Sequence, residues 1–206
     1  MLPLQLNEIA LACRGEAHGE AQISSVCIDS RKITPGCLFV AIKGERFDGH
    51  DFVERAFAEG AAAAMVHRTV PCNGPLIRVD DAREALLRLA GYYRRFFQIP
   101  VVGLTGSVGK TTTKEMTAAV LSKRYHTLKN EGNLNNEIGM PMTAFGLDLS
   151  FGAAVFEMGM SGFGEISRMA RAASPTVGII TNIGVSHMEQ LGSQENILKA
   201  KLELLD

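Results

Sequence analysis

The sequence predicts an α/β protein in two parts: a small mixed α/β N-terminal domain over residues 1–97 and a truncated doubly wound parallel-sheet domain over residues 98–206. Two observations predict it. From Gln98-Ile99-Pro100 onward, continuous apolar runs alternate with amphipathic stretches, the signature of buried parallel strands with helices packed on them. Before that point, short runs of β-formers and helical stretches are divided by Gly and Pro turns.

Taken in order, "LNEIALACRG" has helical apolar spacing and stops at Gly15. "ISSVCIDSRK" and "GCLFVAIKG" read as strands parted by the turn Thr34-Pro35-Gly36. "HDFVERAFAEGAAAAMVHR" is an amphipathic helix that halts near Gly60 and runs into a strand, and "PLIRVDD" is another short strand. In "AREALLRLAGYYRRFF", Leu86, Leu89, Ala90 and Tyr93 share one helical face. The second part opens with the strand "IPVVGL", followed by the helix "KTTTKEMTAAVLSKRY", a polar loop, and "EIGMPMTAFG", helical in part. The strand "AAVFEMGM", helix "GEISRMARAAS", strand "TVGIITNIG" and helix "ENILKAKLELL" complete it. About three strands fall short of the roughly five or six of a usual open sheet. Asp206 ends a helix with no cap and no following strand, so the sequence reads as a fragment.

Composition excludes several classes. A net charge of -1 over 206 residues gives no basic surface for a nucleic-acid backbone. No apolar run approaches the roughly 18 residues of a spanning helix. The start "MLPLQLNEIALACRG" is too acidic and its apolar part too short for a signal peptide, so a cytoplasmic protein is expected. Cys13, Cys27, Cys37 and Cys72 form neither C-x-x-C pairs nor a metal spacing with histidine, and read as reduced, partly buried residues.

The stretch "VVGLTGSVGKTTTKEM" carries the chemistry. A phosphate loop needs converging backbone N–H groups, a helix N-terminus behind them, a lysine for charge and a hydroxyl for Mg2+. Gly106 and Gly109 allow the turn, Lys110 is placed for the β- and γ-phosphates, and Thr111 for the metal. The string departs from G-x-x-x-x-G-K-[ST] in one respect: Leu104 stands where the first glycine is asked for. Glu157, at the end of the "AAVF" strand, faces the same crevice and is a candidate Mg2+ ligand. His187 follows the third strand and is placed to reach it too.

Together "TGSVGKTTTKE", "GNLNNEIGMP", "FEMGMSGFGEI", "TNIGVSHMEQLGSQENI" and "KAKLE" resemble the Mur ligases of peptidoglycan synthesis, and "DSRKITPGCLFVAIKGERFDGHDF" resembles their UDP-sugar-binding domain. In that family the loop has the form T-G-x-x-G-K-T, so Leu104 is regular. The resemblance covers essentially the whole chain and implies an N-terminal UDP-precursor domain, an incomplete P-loop ATPase domain and an absent C-terminal domain. It implies that ATP phosphorylates the terminal carboxylate of UDP-N-acetylmuramoyl-tripeptide, and that the amine of D-Ala-D-Ala displaces phosphate. ATP would lie on Thr105, Gly106, Ser107, Val108, Gly109, Lys110, Thr111 and Thr112. Mg2+ would occupy two sites drawing on Thr111, Glu157 and His187. The catalytic set would be Lys110, His187 and Lys201, the last carbamoylated by CO2; Lys199 lies on a different helix face. Ser30, Arg31, Lys43, Asp48, Gly49 and His50 would bind the UDP moiety, and Asn133 and Asn136, in preference to Asn135, the substrate carboxylate or γ-phosphate. On this reading the 206 residues alone lack turnover. A stand-alone UDP-precursor-binding module is the alternative. So is a sibling ligase, although the "DSR" and "PGCLFVAIKG" pattern opposes a folylpolyglutamate synthetase-like enzyme.

Overall fold

The computed structural model describes residues 1–205, which fall into two compact units, Met1–Leu89 and Ala90 onward. Asp206, the expected helix end, lies outside the described residues. The division falls before the expected Phe97, inside the helix that follows the first sheet.

The first unit runs β1 (Leu4–Gln5), α1 (Leu6–Cys13), β2 (Glu16–His18), β3 (Gln22–Ile23), β4 (Ser25–Cys27), β5 (Cys37–Val40), a 3-10 turn (Gly49–Phe52), α2 (Val53–Ala58), β6 (Ala63–Val66), β7 (Leu76–Arg78) and the first turns of α3 (Ala82–Arg94), as far as Leu89. Its main sheet has the order β2-β7-β6-β5-β4, parallel except for β2 at the edge. β5 and β6 are buried at every residue, which is why they read as unbroken apolar runs. Their side chains pack with Val53 and Ala56 of α2. α1 stops one residue before the expected glycine: Arg14 takes the left-handed conformation (φ 58°). Gly15 is needed for a different reason, since a Cβ there would lie 2.6 Å from the Arg78 carbonyl oxygen of β7. The sequence pattern does not predict β1 or β2. Each is two or three residues long and partly exposed, too short to show alternation.

The second unit runs β8 (Val101–Thr105), α4 (Lys110–Leu121), β9 (Thr127–Lys129), α5 (Gly139–Ala144), β10 (Ala153–Glu157), α6 (Glu165–Ala173), β11 (Val177–Ile180), α7 (Met188–Leu191), α8 (Gln194–Leu202) and a 3-10 turn (Glu203–Leu205). Among the described residues it holds a four-stranded parallel sheet, order β11-β8-β10-β9. The sequence pattern predicts about three strands and a polar loop where β9 runs. Thr127-Leu128-Lys129 is half-buried at every position, so no apolar run marks it.

Period-two alternation divides the faces of β8. Val102 and Leu104 pack with Ala118 and Leu121 of α4 and with Val155 and Ile179. Gly103 points the other way, where a Cβ would lie 3.1 Å from Leu204. Leu104 is therefore a core residue of the sheet. Two of the chain's returns to the sheet, β10 and β11, flank β8 on opposite sides, so the C-terminal end of β8 is the switch point where ligands bind in open α/β sheets. Among the described residues no helix is long and apolar enough to cross a membrane.

Tyr93 anchors this unit's core: its ring lies edge-on to Phe97 at 5.2 Å, and its hydroxyl donates to the Leu147 carbonyl at 2.6 Å. Tyr93→Phe strands that buried acceptor and should lower stability by about 1–3 kcal/mol. Tyrosine fluorescence during urea unfolding reads this unit alone, since the chain has no Trp and Tyr92, Tyr93 and Tyr125 all lie in it. An unchanged midpoint would mean that the carbonyl finds another donor.

Candidate active site: a phosphate loop and a buried carboxylate

The loop between β8 and α4 is shaped by its glycines. Gly109, at the N-cap of α4, is left-handed (φ 80°) with nothing near its Cβ position, so its role is conformational. Gly106 (φ 150°) is constrained twice, because a Cβ there would sit 1.8 Å from the Thr181 hydroxyl. Lys110 folds back so that Nζ donates to the Gly106 carbonyl at 2.9 Å. Thr105 ends β8 with its side-chain hydroxyl buried and, among the described residues, unbonded. Behind the loop, the first amides of α4 lack intrahelical partners, as at any helix start, and offer an anion a partial positive charge.

Glu157, at the end of β10, is only 2% exposed and is held from every side. Its Oε2 accepts from the Thr111 hydroxyl at 3.0 Å and lies 3.8 Å from Lys114 Nζ. Its Oε1 accepts from Asn135 Nδ2 at 2.8 Å. Asn130, fully buried, grips the main chain of the same residue, accepting from Glu157 N–H at 2.8 Å and donating to its carbonyl at 2.9 Å. The Asn130 carbonyl in turn accepts from Lys114 Nζ at 2.7 Å. The Thr111 hydroxyl and the Glu157 carboxylate are hard oxygens of the kind Mg2+ prefers. Among the described residues no group of three His, Cys, Asp or Glu converges for a metal, so a cation here would take its remaining ligands from phosphate and water. The donor set fits Mg2+ on those terms.

A third segment clasps the loop. The Thr181 hydroxyl donates to the Val108 carbonyl at 2.7 Å, and Gly184 N–H donates to Ser107 Oγ at 2.9 Å. Asn182 Oδ1 accepts from the amides of both Ser107 (3.1 Å) and Val108 (3.0 Å). His187 lies further along, left-handed (φ 63°), its carbonyl accepting from Gln190 and Leu191 in α7 and its side chain exposed. It belongs to no cluster of metal-ligating side chains among the described residues. Lys201 of α8 is 2% exposed; burial, with the charge of Lys110 adding to it, draws its ammonium down to about 8. Lys199 is exposed and paired with Glu195 at 3.0 Å.

Of Asn133, Asn135 and Asn136, the structure brings Asn135 to the Glu157 carboxylate, not the favoured pair. Asn136 Oδ1 caps the start of α5, accepting from Ile138 and Gly139, and Asn133 is exposed. In the first unit, Ser30 is nearly buried, and Arg31 spends its guanidinium fork on Asp29, at 2.9 and 2.8 Å. That fork holds the Asp29 carboxyl well below the usual range. Lys43 is exposed and pairs with Asp48 through the main chain, in the loop that carries Gly49. His50, expected to line a pocket, is buried with both ring nitrogens committed: Nδ1 to Asp48 at 2.5 Å and Nε2 accepting from His67 N–H at 3.1 Å. It supports the loop from beneath.

The sequence reading missed Lys114, Asn130, Thr181 and Asn182. Lys114 and Asn182 stood inside quoted motifs, one turn past Lys110 and next to Thr181, so their positions were visible although their partners were not.

Comparison with known proteins bears on the same segments. Residues 104–206 match the Mur ligase middle domain and residues 22–94 the Mur ligase family, catalytic domain. The chain is similar to the UDP-N-acetylmuramoyl-tripeptide–D-alanyl-D-alanine ligase of Bacillus subtilis, 49% identical over 92% of this chain and 42% of the relative. Its structure is similar to MurF from Acinetobacter baumannii (TM-score 0.92, 38% identical, covering 98% of this chain and 46% of that one). It is also similar to MurF ligase from Thermotoga maritima in complex with ADP (TM-score 0.83, 35% identical, 87% and 42% covered). The chain spans less than half the length of the relatives it matches.

Asn130 joins β9's end, Lys114 and the main chain of Glu157 in one buried node. Asn130→Ala leaves two main-chain groups of Glu157 unpaired and should cost about 2–4 kcal/mol of stability. Denaturant unfolding checks this; a loss within about 0.5 kcal/mol would show that water replaces the amide.

Proposed function

The chain belongs to the Mur ligase family, and from that premise we propose that it carries the precursor-binding and phosphate-binding parts of an ATP-dependent amide ligase. The reaction proposed joins D-Ala-D-Ala to UDP-N-acetylmuramoyl-tripeptide, as the names of the relatives suggest. In this reading residues 1–97 hold the UDP-linked precursor and 98–206 the nucleotide, and the ATP requirement puts the work in the cytoplasm. The observation that carries the reading is the Thr111–Glu157 contact at the mouth of the phosphate loop, with Lys110 beside it.

The chemistry asked of these residues is charge control. A carboxylate does not acylate an amine at neutral pH; its oxygen must first attack the γ-phosphorus, releasing ADP and forming an acyl phosphate. The dipeptide's amine then attacks the acyl carbon, and phosphate leaves with the bonding pair. The first step brings two anions together, so fixed positive charge and aimed donors lower its barrier. Lys110 is positioned to exchange the Gly106 carbonyl for a phosphate oxygen. Thr111 and Glu157 would hold Mg2+, which supplies Lewis-acid neutralisation of the phosphates. Asn135 fixes the carboxylate's other oxygen so that Oε2 keeps facing Thr111.

Lys201 is the candidate for carbamoylation. Carbamate forms from the neutral amine, and with the ammonium drawn down to about 8, about a tenth is neutral at pH 7 and about nine tenths at pH 9. The carbamate of wild-type protein under 13C-labelled CO2 should therefore rise through that window in the 13C spectrum and be missing from Lys201→Arg. An equal signal in Lys201→Arg would assign it elsewhere.

Calorimetry of this chain with ADP, with and without Mg2+, tests the nucleotide reading. Thr111→Val keeps the shape and removes the hydroxyl, so the gain in affinity from Mg2+ should fall by at least about tenfold while metal-free binding holds. A Mg2+ effect that survives the substitution would move the metal off Thr111.

A further inference from the structure

The amides of Ser107 and Val108 converge on one oxygen, Asn182 Oδ1, at 3.1 and 3.0 Å. Successive main-chain N–H groups converging on an acceptor are the arrangement by which glycine loops hold anions. Here the acceptor belongs to the protein. We propose that Asn182 is a positioning residue of the phosphate loop: its side-chain oxygen stands where a phosphate oxygen binds, keeps the loop in shape without nucleotide, and yields when nucleotide arrives. The inference rests on the reading of this loop as a nucleotide site.

Three features support an exchange in preference to a permanent tie. A phosphate oxygen carries formal charge and accepts from N–H groups more strongly than a neutral amide oxygen does. Asn182 is exposed, so its side chain can turn into water without stranding a polar group. The loop also stays clasped after the side chain leaves. The Asn182 main-chain carbonyl still accepts from Ser107 N–H at 3.1 Å, the Thr181 hydroxyl still donates to Val108, and Gly184 N–H still donates to Ser107. The side chain is thus the one exchangeable member of a clasp otherwise made by main chain and hydroxyls.

Two substitutions separate this from a merely structural role. Asn182→Ala removes the competitor and leaves the rest of the clasp, so ADP should bind about fivefold tighter, the equivalent of one net hydrogen bond. Asn182→Asp places a charged, stronger acceptor on the same amides, so ADP should bind at least about tenfold more weakly. A structural tie would make both variants bind more weakly. In the nucleotide-free protein, hydrogen exchange at Val108 should quicken in Asn182→Ala, while Ser107, still bonded to the Asn182 main-chain carbonyl, keeps its rate, and ADP should slow Val108 again. Weakened ADP binding by Asn182→Ala, unchanged binding by Asn182→Asp, or unchanged hydrogen exchange at Val108 would overturn the exchange of acceptors alone. Failure of the wild-type chain to take up ADP would overturn the nucleotide reading, and the exchange with it.

Discussion

The second unit is organised around a carboxylate placed in its interior, Glu157. Glu157 is almost without solvent, and an ionised group so placed is tolerated only when paired and fully hydrogen-bonded. Lys114, as deeply buried, provides the counter-charge at 3.8 Å, and removing one member of such a pair typically costs about 3–5 kcal/mol. Lys114 cannot serve Glu157 alone, because an ammonium has three donors to place. It also bonds the Asn130 carbonyl and lies 3.4 Å from Glu115. Those demands tie together β10, α4 and the segment after β9.

The packing of β8 explains why the loop tolerates Leu104. The side chain at that position points into the sheet, among Val102, Ala118 and Val155, and plays no part in the turn. Conformational freedom is needed later, at Gly106, where the hydroxyl of Thr181 closes in, and at Gly109, where the chain turns into α4. A phosphate loop clasped from outside by a neighbouring segment has its geometry set at those two positions.

Legibility in the sequence followed the physical reach of each signal. β8, α4, β10 and α6 are long or fully buried enough to print a period, and the loop's residue types print its chemistry. Glu157 was legible because the end of a parallel strand faces the crevice beside the loop. Its supporters were not. Asn130 and Asn182 act through partners in distant segments, and nothing in their neighbourhoods distinguishes them from turn asparagines. Asn135 and Asn133 are alike in type and setting, and only the path of the chain sends one to Glu157 and the other to solvent. His50 shows the opposite case. A histidine in a polar, glycine-bearing loop suggests a ligand group, but this one is buried and closes a hydrogen-bonded corner between Asp48 and His67.

One pattern recurs at several of the polar groups that ligands are proposed to meet: a partner within the protein already holds them. Lys110 holds Gly106, Thr111 holds Glu157, the loop amides hold Asn182, and Arg31 holds Asp29. Binding at such groups is an exchange of hydrogen bonds, and its net gain is the difference between two acceptors, far smaller than the gross strength of either. That favours ligands whose acceptors are charged and delivered several at once, as a polyphosphate's are, and disfavours neutral ones that could only match what the protein supplies. Selectivity for anions is then built into the resting state, before any contact with substrate is made.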